Sequence, residues 1–186
     1  MESGLLALCT ATAGRTLVLF TSNEQLNTTA RAISPHLNAQ GIQVLTQSAG
    51  ASRHALLESF KSSEGAVLLG TRSFWEGVDV PGPALSILAI VRLPFDVPSD
   101  PIIAARSETF EDPFREYSLP EAILRFRQGF GRLIRTRSDR GVVVSFDRRL
   151  LSKPYGQTFL ASLPDCTRRV GPMSALPREA ARWLNL

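Results

Sequence analysis

Three short stretches of this sequence carry residue types that suit phosphate chemistry. The first, Phe20-Thr21-Ser22-Asn23, follows an apolar run and offers hydroxyls at what reads as a helix start. Free amides and the helix dipole make such a start a phosphate site by geometry. The same residues suit a plain N-cap equally well, and both readings stand. The second stretch is Gly70-Thr71-Arg72-Ser73-Phe74-Trp75-Glu76-Gly77-Val78-Asp79-Val80-Pro81-Gly82, with three glycines, two hydroxyls and two carboxylates. Glycines permit close backbone approach, and hydroxyls with N–H groups match phosphate oxygens. Asp79 has the acceptors for a ribose, although Asp-Val-Pro-Gly is also an ordinary turn. The third runs from Glu121 to Arg137. There Ala122, Phe126, Phe130 and Ile134 recur every four residues, the buried stripe of a helix. Arg125, Gln128, Arg132 and Arg135 share another face of it, open either to a ligand or to solvent. Gly129 and Gly131 cost about 1 kcal/mol each inside a helix. Close packing or close ligand approach would favour them there.

The charge balance supports a polyanion near the third stretch. The chain has 186 residues and a formal charge of +4, and 19 of its 21 basic residues are Arg. Eight of those fall between Arg125 and Arg149, opposed only by Asp139 and Asp147. A codon bias toward arginine is one reading of the overall ratio, but it does not explain this clustering, which suits nucleic acid or nucleotide phosphates. An apolar fraction of 44% is enough to bury a core and excludes disordered and disulfide-scaffold classes. No apolar run is long enough for a transmembrane helix, and the start Met1-Glu2-Ser3-Gly4 lacks the basic region of a secretory signal. Cys9 and Cys166 stand far apart, which rules out a zinc ribbon or iron–sulfur cluster built from these residues and fits a reducing cytoplasm.

The elements that must position these stretches alternate. Thr16–Phe20, Ile42–Leu45, Ala66–Leu69, Leu85–Val91 and Gly141–Phe146 read as buried strands. Helices are expected over Leu5–Cys9, from about Ser22 to Leu37, and over Ser52–Phe60. Continuous apolar strands separated by helices indicate an α/β fold, a mostly parallel sheet covered on both faces. Pro94 to Pro101 reads as a rigid loop. Residues 1–163 are expected to form one domain, and 164–186 a proline-containing tail with a short terminal helix, Arg178 to Leu184.

Taken together, the motifs resemble the second, C-terminal lobe of superfamily 2 helicases. Gly70-Thr71…Glu76-Gly77-Val78-Asp79 is similar to motif V, and Gln128-Gly129-Phe130-Gly131-Arg132-Leu133-Ile134-Arg135 to motif VI. Leu17-Val18-Leu19-Phe20-Thr21-Ser22 resembles motif IV. The form Glu76-Gly77-Val78-Asp79-Val80-Pro81-Gly82, followed by Leu93-Pro94-Phe95…Pro98-Ser99-Asp100-Pro101, points to the XPD/DinG branch and its bacterial DinG-like members. The resemblance covers residues 1 to about 165, in order.

It implies a RecA-like lobe of an ATP-dependent DNA helicase, bacterial and nucleoid-associated, moving 5′ to 3′ on single-stranded DNA. ATP would sit between this lobe and an N-terminal RecA-like lobe that supplies the P-loop and the Mg²⁺ ligands, with an iron–sulfur cluster possible there. The resemblance places Arg132 and Arg135 at the ATP phosphates, with Gln128, Gly131, Gly77 and Asp79 binding the nucleotide. Ser22 and Thr71 would hold DNA phosphates, and the charge argument adds Arg72. Neither of the two lysines, Lys61 and Lys153, lies in a P-loop pattern, so these residues alone are expected to be inactive. The rival reading is a non-catalytic basic nucleic-acid-binding or adaptor module. A nicotinamide-binding turn is set aside, because Gly129 and Gly131 form only a fragment of one inside a helix.

Overall fold

Each apolar run expected to be a strand is one. In the computed structural model, which describes residues 1–47, 52–75, 85–133 and 140–186, the strands are β1 (Thr16–Leu19), β2 (Gln43–Thr46), β3 (Ala66–Gly70), β4 (Ile87–Ile90) and β5 (Val142–Ser145). All pair in parallel, in the order β2-β3-β1-β4-β5. The helices are α1 (Glu2–Ala11), α2 (Asn23–Asn38), α3 (Arg53–Ser62), α4 (Arg72–Trp75), α5 (Pro101–Ser107), α6 (Leu119–Phe130), α7 (Arg149–Ser152), α8 (Gly156–Ala161) and α9 (Leu176–Leu184). A π-helical turn, Phe114–Ser118, leads into α6.

Side-chain alternation sorts the core onto the two faces of the sheet. Val18, Phe20, Val67, Leu69 and Ala89 pack beneath α1 and α2. Leu17, Leu19, Leu68, Leu88 and Ile90 pack against Leu57 and Phe60 of α3, Phe74 and Trp75 of α4, Ala122 and Phe126 of α6, and Phe159 of α8. The stretch after Leu163 runs exposed and then forms α9, whose Ala180 joins Leu8, Ile87 and Val144 in a third apolar cluster.

Two details set up the site. The register pairs Leu19 with Gly70, so the loops leaving β1 and β3 emerge side by side. Ligands of open parallel sheets bind beyond these carboxyl ends. The basic helix also differs from expectation: α6 stops at Phe130, with Gly131 as its C-cap, and residues 131–133 form a turn. Gly131 therefore lies outside the helix body, and Arg132 leaves the shared helical face, its N–H donating to the Gly129 carbonyl.

Candidate nucleotide and nucleic-acid site

At the end of β1, Ser22 caps α2. Its backbone is extended (φ −138°, ψ 131°) and its Oγ accepts from the Gln25 amide at 3.4 Å. The cap reading holds, and the hydroxyl proton stays available to a further acceptor. At the end of β3, the Thr71 hydroxyl donates to Gln47 Oε1 at 3.3 Å, and the Ser73 hydroxyl donates to the same oxygen at 3.2 Å. Arg53 donates to the Ser73 carbonyl at 3.0 Å. Gln47, one residue past β2, thus gathers the hydroxyls of the β3 loop. Its position after a strand was the only signal for it in the sequence.

Arg72 is tied down. Its Nη1 meets Asp96 Oδ1 at 2.9 Å, with the guanidinium 64% exposed and the carboxylate 9% exposed. The other Asp96 oxygen takes Arg125 Nη2 at 2.8 Å, and Arg125 also reaches Glu121 and the Pro94 carbonyl. Arg125 is 10% exposed. It does not share an open basic face with Gln128; it neutralises a buried carboxylate and pins the loop after β4 to α6. That loop is held from its other side too. Asp147 Oδ2 accepts from the Leu93 amide at 2.8 Å and from Arg149 Nη2 at 2.6 Å. Burial alone would raise the Asp147 pKa, but the Arg149 hydrogen bond and the Leu93 and Arg149 amides outweigh it and hold the carboxyl below its ordinary range.

The two glycines of the basic stretch separate by cause. A Cβ on Gly129 would sit 3.1 Å and 3.2 Å from ring carbons of Trp75 and 3.5 Å from Leu19 Cδ1. Close packing of α6 on α4 and β1 accounts for it. Trp75 in turn donates Nε1–H to the Phe20 carbonyl at 3.3 Å, so one buried ring joins the three motif-bearing segments. A Cβ on Gly131 would meet only the Arg127 and Gln128 carbonyl oxygens, at 3.5 Å and 3.7 Å, which is ordinary contact. Its φ of −65° needs no glycine either. Packing among the described residues therefore gives no reason for Gly131.

Beside it lie two unmet polar atoms. Gln128 Oε1 and Arg132 Nε are both buried and have no hydrogen-bond partner among the described residues. Buried polar atoms are nearly always paired, since leaving one unmet costs about 1–3 kcal/mol. An acceptor and a charged donor left unpaired on one turn lack the polar partner that buried groups ordinarily have. Gly77, Asp79 and Arg135, expected at the same ligand, lie outside the described residues. Among the described residues no cluster of His, Cys, Asp and Glu could hold a metal ion, and no helix is long and apolar enough to cross a membrane.

A family model described as "Helicase C-terminal domain" matches residues 5–166. The chain is 45% identical over 169 residues to the "3'-5' exonuclease DinG" of Bacillus subtilis, covering 88% of this chain and 18% of the relative. It is 44% identical over 162 residues to the "ATP-dependent DNA helicase YoaA" of Escherichia coli, covering 85% of this chain and 25% of the relative. The chain thus spans a quarter or less of these curated relatives. A solved XPD helicase superposes with a TM-score of 0.65 at 22% identity, over 91% of this chain and 32% of that one, which establishes the RecA-like fold. With the motif-bearing loops aligned along one edge of such a sheet, and with the family model spanning most of its length, the chain belongs to the helicase C-terminal domain family.

Proposed function

We propose that these residues form the second motor lobe of a DinG-like ATP-dependent DNA helicase, working against an N-terminal RecA-like lobe. The two relatives carry different activity names yet match through the same helicase domain, and that domain is the part assigned here. The observation that carries the reading is the pair of unmet atoms on Gln128 and Arg132. In this reading the Arg132 and Arg135 guanidiniums stabilise charge developing on the γ-phosphate, Gln128 orients the nucleotide, and Gly131 admits it closely. Gly77 and Asp79 line the same cleft. Magnesium and any iron–sulfur cluster belong to the other lobe. Ser22 and Thr71 contact phosphates of single-stranded DNA, and exposed Arg72 adds charge to that track. Motion is 5′ to 3′, in the cytoplasm, on the nucleoid.

Catalysis of phosphoryl transfer is positioning plus charge stabilisation, and an arginine at the γ-phosphate contributes about 10³–10⁵ in rate. Lysine lacks the planar fork, so Arg135→Lys is expected to fail almost as badly as Arg135→Ala. In the full-length protein both variants are expected to lose DNA-stimulated ATP hydrolysis while keeping DNA affinity, and the present chain alone is expected to hydrolyse none. Normal hydrolysis by Arg135→Ala, or motor-level turnover by this chain alone, overturns the proposal.

A further inference from the structure

The loop after β4 carries a second feature that the motifs do not explain. Asp100 caps α5, its Oδ1 accepting from the Ile102 amide at 2.9 Å and the Ile103 amide at 3.4 Å. Between α5 and the π-helical turn lies a groove of about 590 Å³, lined by Pro101, Ile102, Ala105, Arg106, Phe110 and Tyr117. Phe110 and Tyr117 stack with centroids 5.5 Å apart and planes only 9° off parallel. Each ring fixes the other, so the platform is formed in advance. It is also open: Ile102 is 65% exposed and Phe110 36%. Exposed apolar surface of this kind marks a contact.

The charge beside the groove narrows the occupant. Arg106 is exposed and lines the groove together with Tyr117. Flat rings flanked by exposed guanidiniums are how single strands are held without sequence preference: bases stack on the rings and arginines track the backbone.

We propose that this groove takes one unstacked nucleobase of a single strand, on the Phe110–Tyr117 platform, with Arg106 at its phosphate. The inference rests on the helicase reading, because it needs a strand delivered along Ser22 and Thr71. It adds a base-contacting subsite to contacts that otherwise touch only the backbone.

The test uses the full-length protein and a fluorescent oligothymidylate. With 5-iodouracil placed at successive positions, photocrosslinks are expected to map to residues 101–117. Phe110→Ala is expected to weaken the strand about tenfold, the usual size for one stacked base. Phe110→Tyr is expected to bind normally, which separates loss of the ring from loss of the fold. The Phe110→Ala penalty is expected to vanish when the crosslinked nucleotide is made abasic. Crosslinks that map elsewhere on a strand that does bind, or a penalty unchanged by the abasic site, overturn the subsite and leave the helicase reading standing. A wild-type protein that binds no strand overturns both.

Discussion

At the carboxyl ends of β1 and β3, the side chains suited to phosphate already have partners inside the chain. Ser22 accepts from Gln25, Thr71 donates to Gln47, and Arg72 pairs with Asp96. At the end of α6 the opposite holds, with Gln128 Oε1 and Arg132 Nε buried and unmet. On the function proposed above, the contrast separates two ways of waiting for a ligand. A surface that binds a backbone repeatedly and weakly can satisfy itself in the ligand's absence. A group that must face developing charge gains from being held in place without a competing internal partner, because an internal ion pair would have to break first. Self-satisfaction favours turnover, and openness favours catalysis.

The largest effect that tests this contrast separates Arg132 from Arg125. Arg132→Ala in the full-length protein is expected to lower DNA-stimulated hydrolysis by about 10³ or more. Its thermal midpoint in this chain is expected to hold or rise, because the variant removes an unpaired buried donor. Arg125→Ala is expected to do the reverse in order of cause. It leaves Asp96 buried without its main partner and costs about 3–5 kcal/mol of stability, with activity falling only as the fold does. Denaturant titration of this chain beside ATPase assays of the full-length protein reads both. A stability loss in Arg132→Ala would place that side chain in the structural network.

The two glycines give the next largest separation. Gly129→Ala pushes a methyl against Trp75 and is expected to cost about 1–3 kcal/mol, partly offset by better helix propensity. Gly131→Ala meets only ordinary contacts and is expected to be neutral or to stabilise by less than about 1 kcal/mol, through the unfolded chain. Hydrolysis is nevertheless expected to fall in the full-length Gly131→Ala protein if, as proposed, the nucleotide approaches at this position. A fully active Gly131→Ala enzyme removes Gly131 from the site.

On the self-satisfied side the effects are smaller. Ser22→Ala is expected to cost about 1 kcal/mol as a lost cap. It also lowers strand affinity in the full-length protein slightly, with little change in the salt dependence, because a hydroxyl releases no counterion. The smallest effect is one of pH. The Asp147 carboxyl is held low in the folded chain, so its contribution to stability is complete above the unfolded value of about 3.9 and is lost as pH falls through the lower folded value. The thermal midpoint attributable to Asp147 is therefore expected to be flat near neutrality and to drop only in acid. Asp147→Asn is expected to flatten that acid limb.

Much of the fold was legible because its signals are local. Val18, Leu68 and Leu88 lie within short apolar runs, and a run that must be buried on both faces becomes a parallel strand wherever helices can cover it. Ser22 as a helix start was legible for the same reason, since a cap acts on amides two or three residues away. Short elements such as α4, α8 and the π-helical turn were not legible. Four to six residues show no period, and packing from elsewhere holds them.

The apolar runs of the chain determined by themselves that this is a parallel α/β fold, and the resemblance of its motifs added the helicase family, because strand burial and motif residues are properties of neighbours along the chain. Tertiary structure alone decided which polar groups are committed. Arg125 and Arg132 look alike in sequence, yet Asp96 arrives from the loop after β4 to bury one, and none of the described residues pairs with Nε of the other. Gly129 and Gly131 look alike too, until Trp75 is placed against one of them. Pairing and contact depend on groups brought together from distant segments, and a local pattern holds no record of which partner comes.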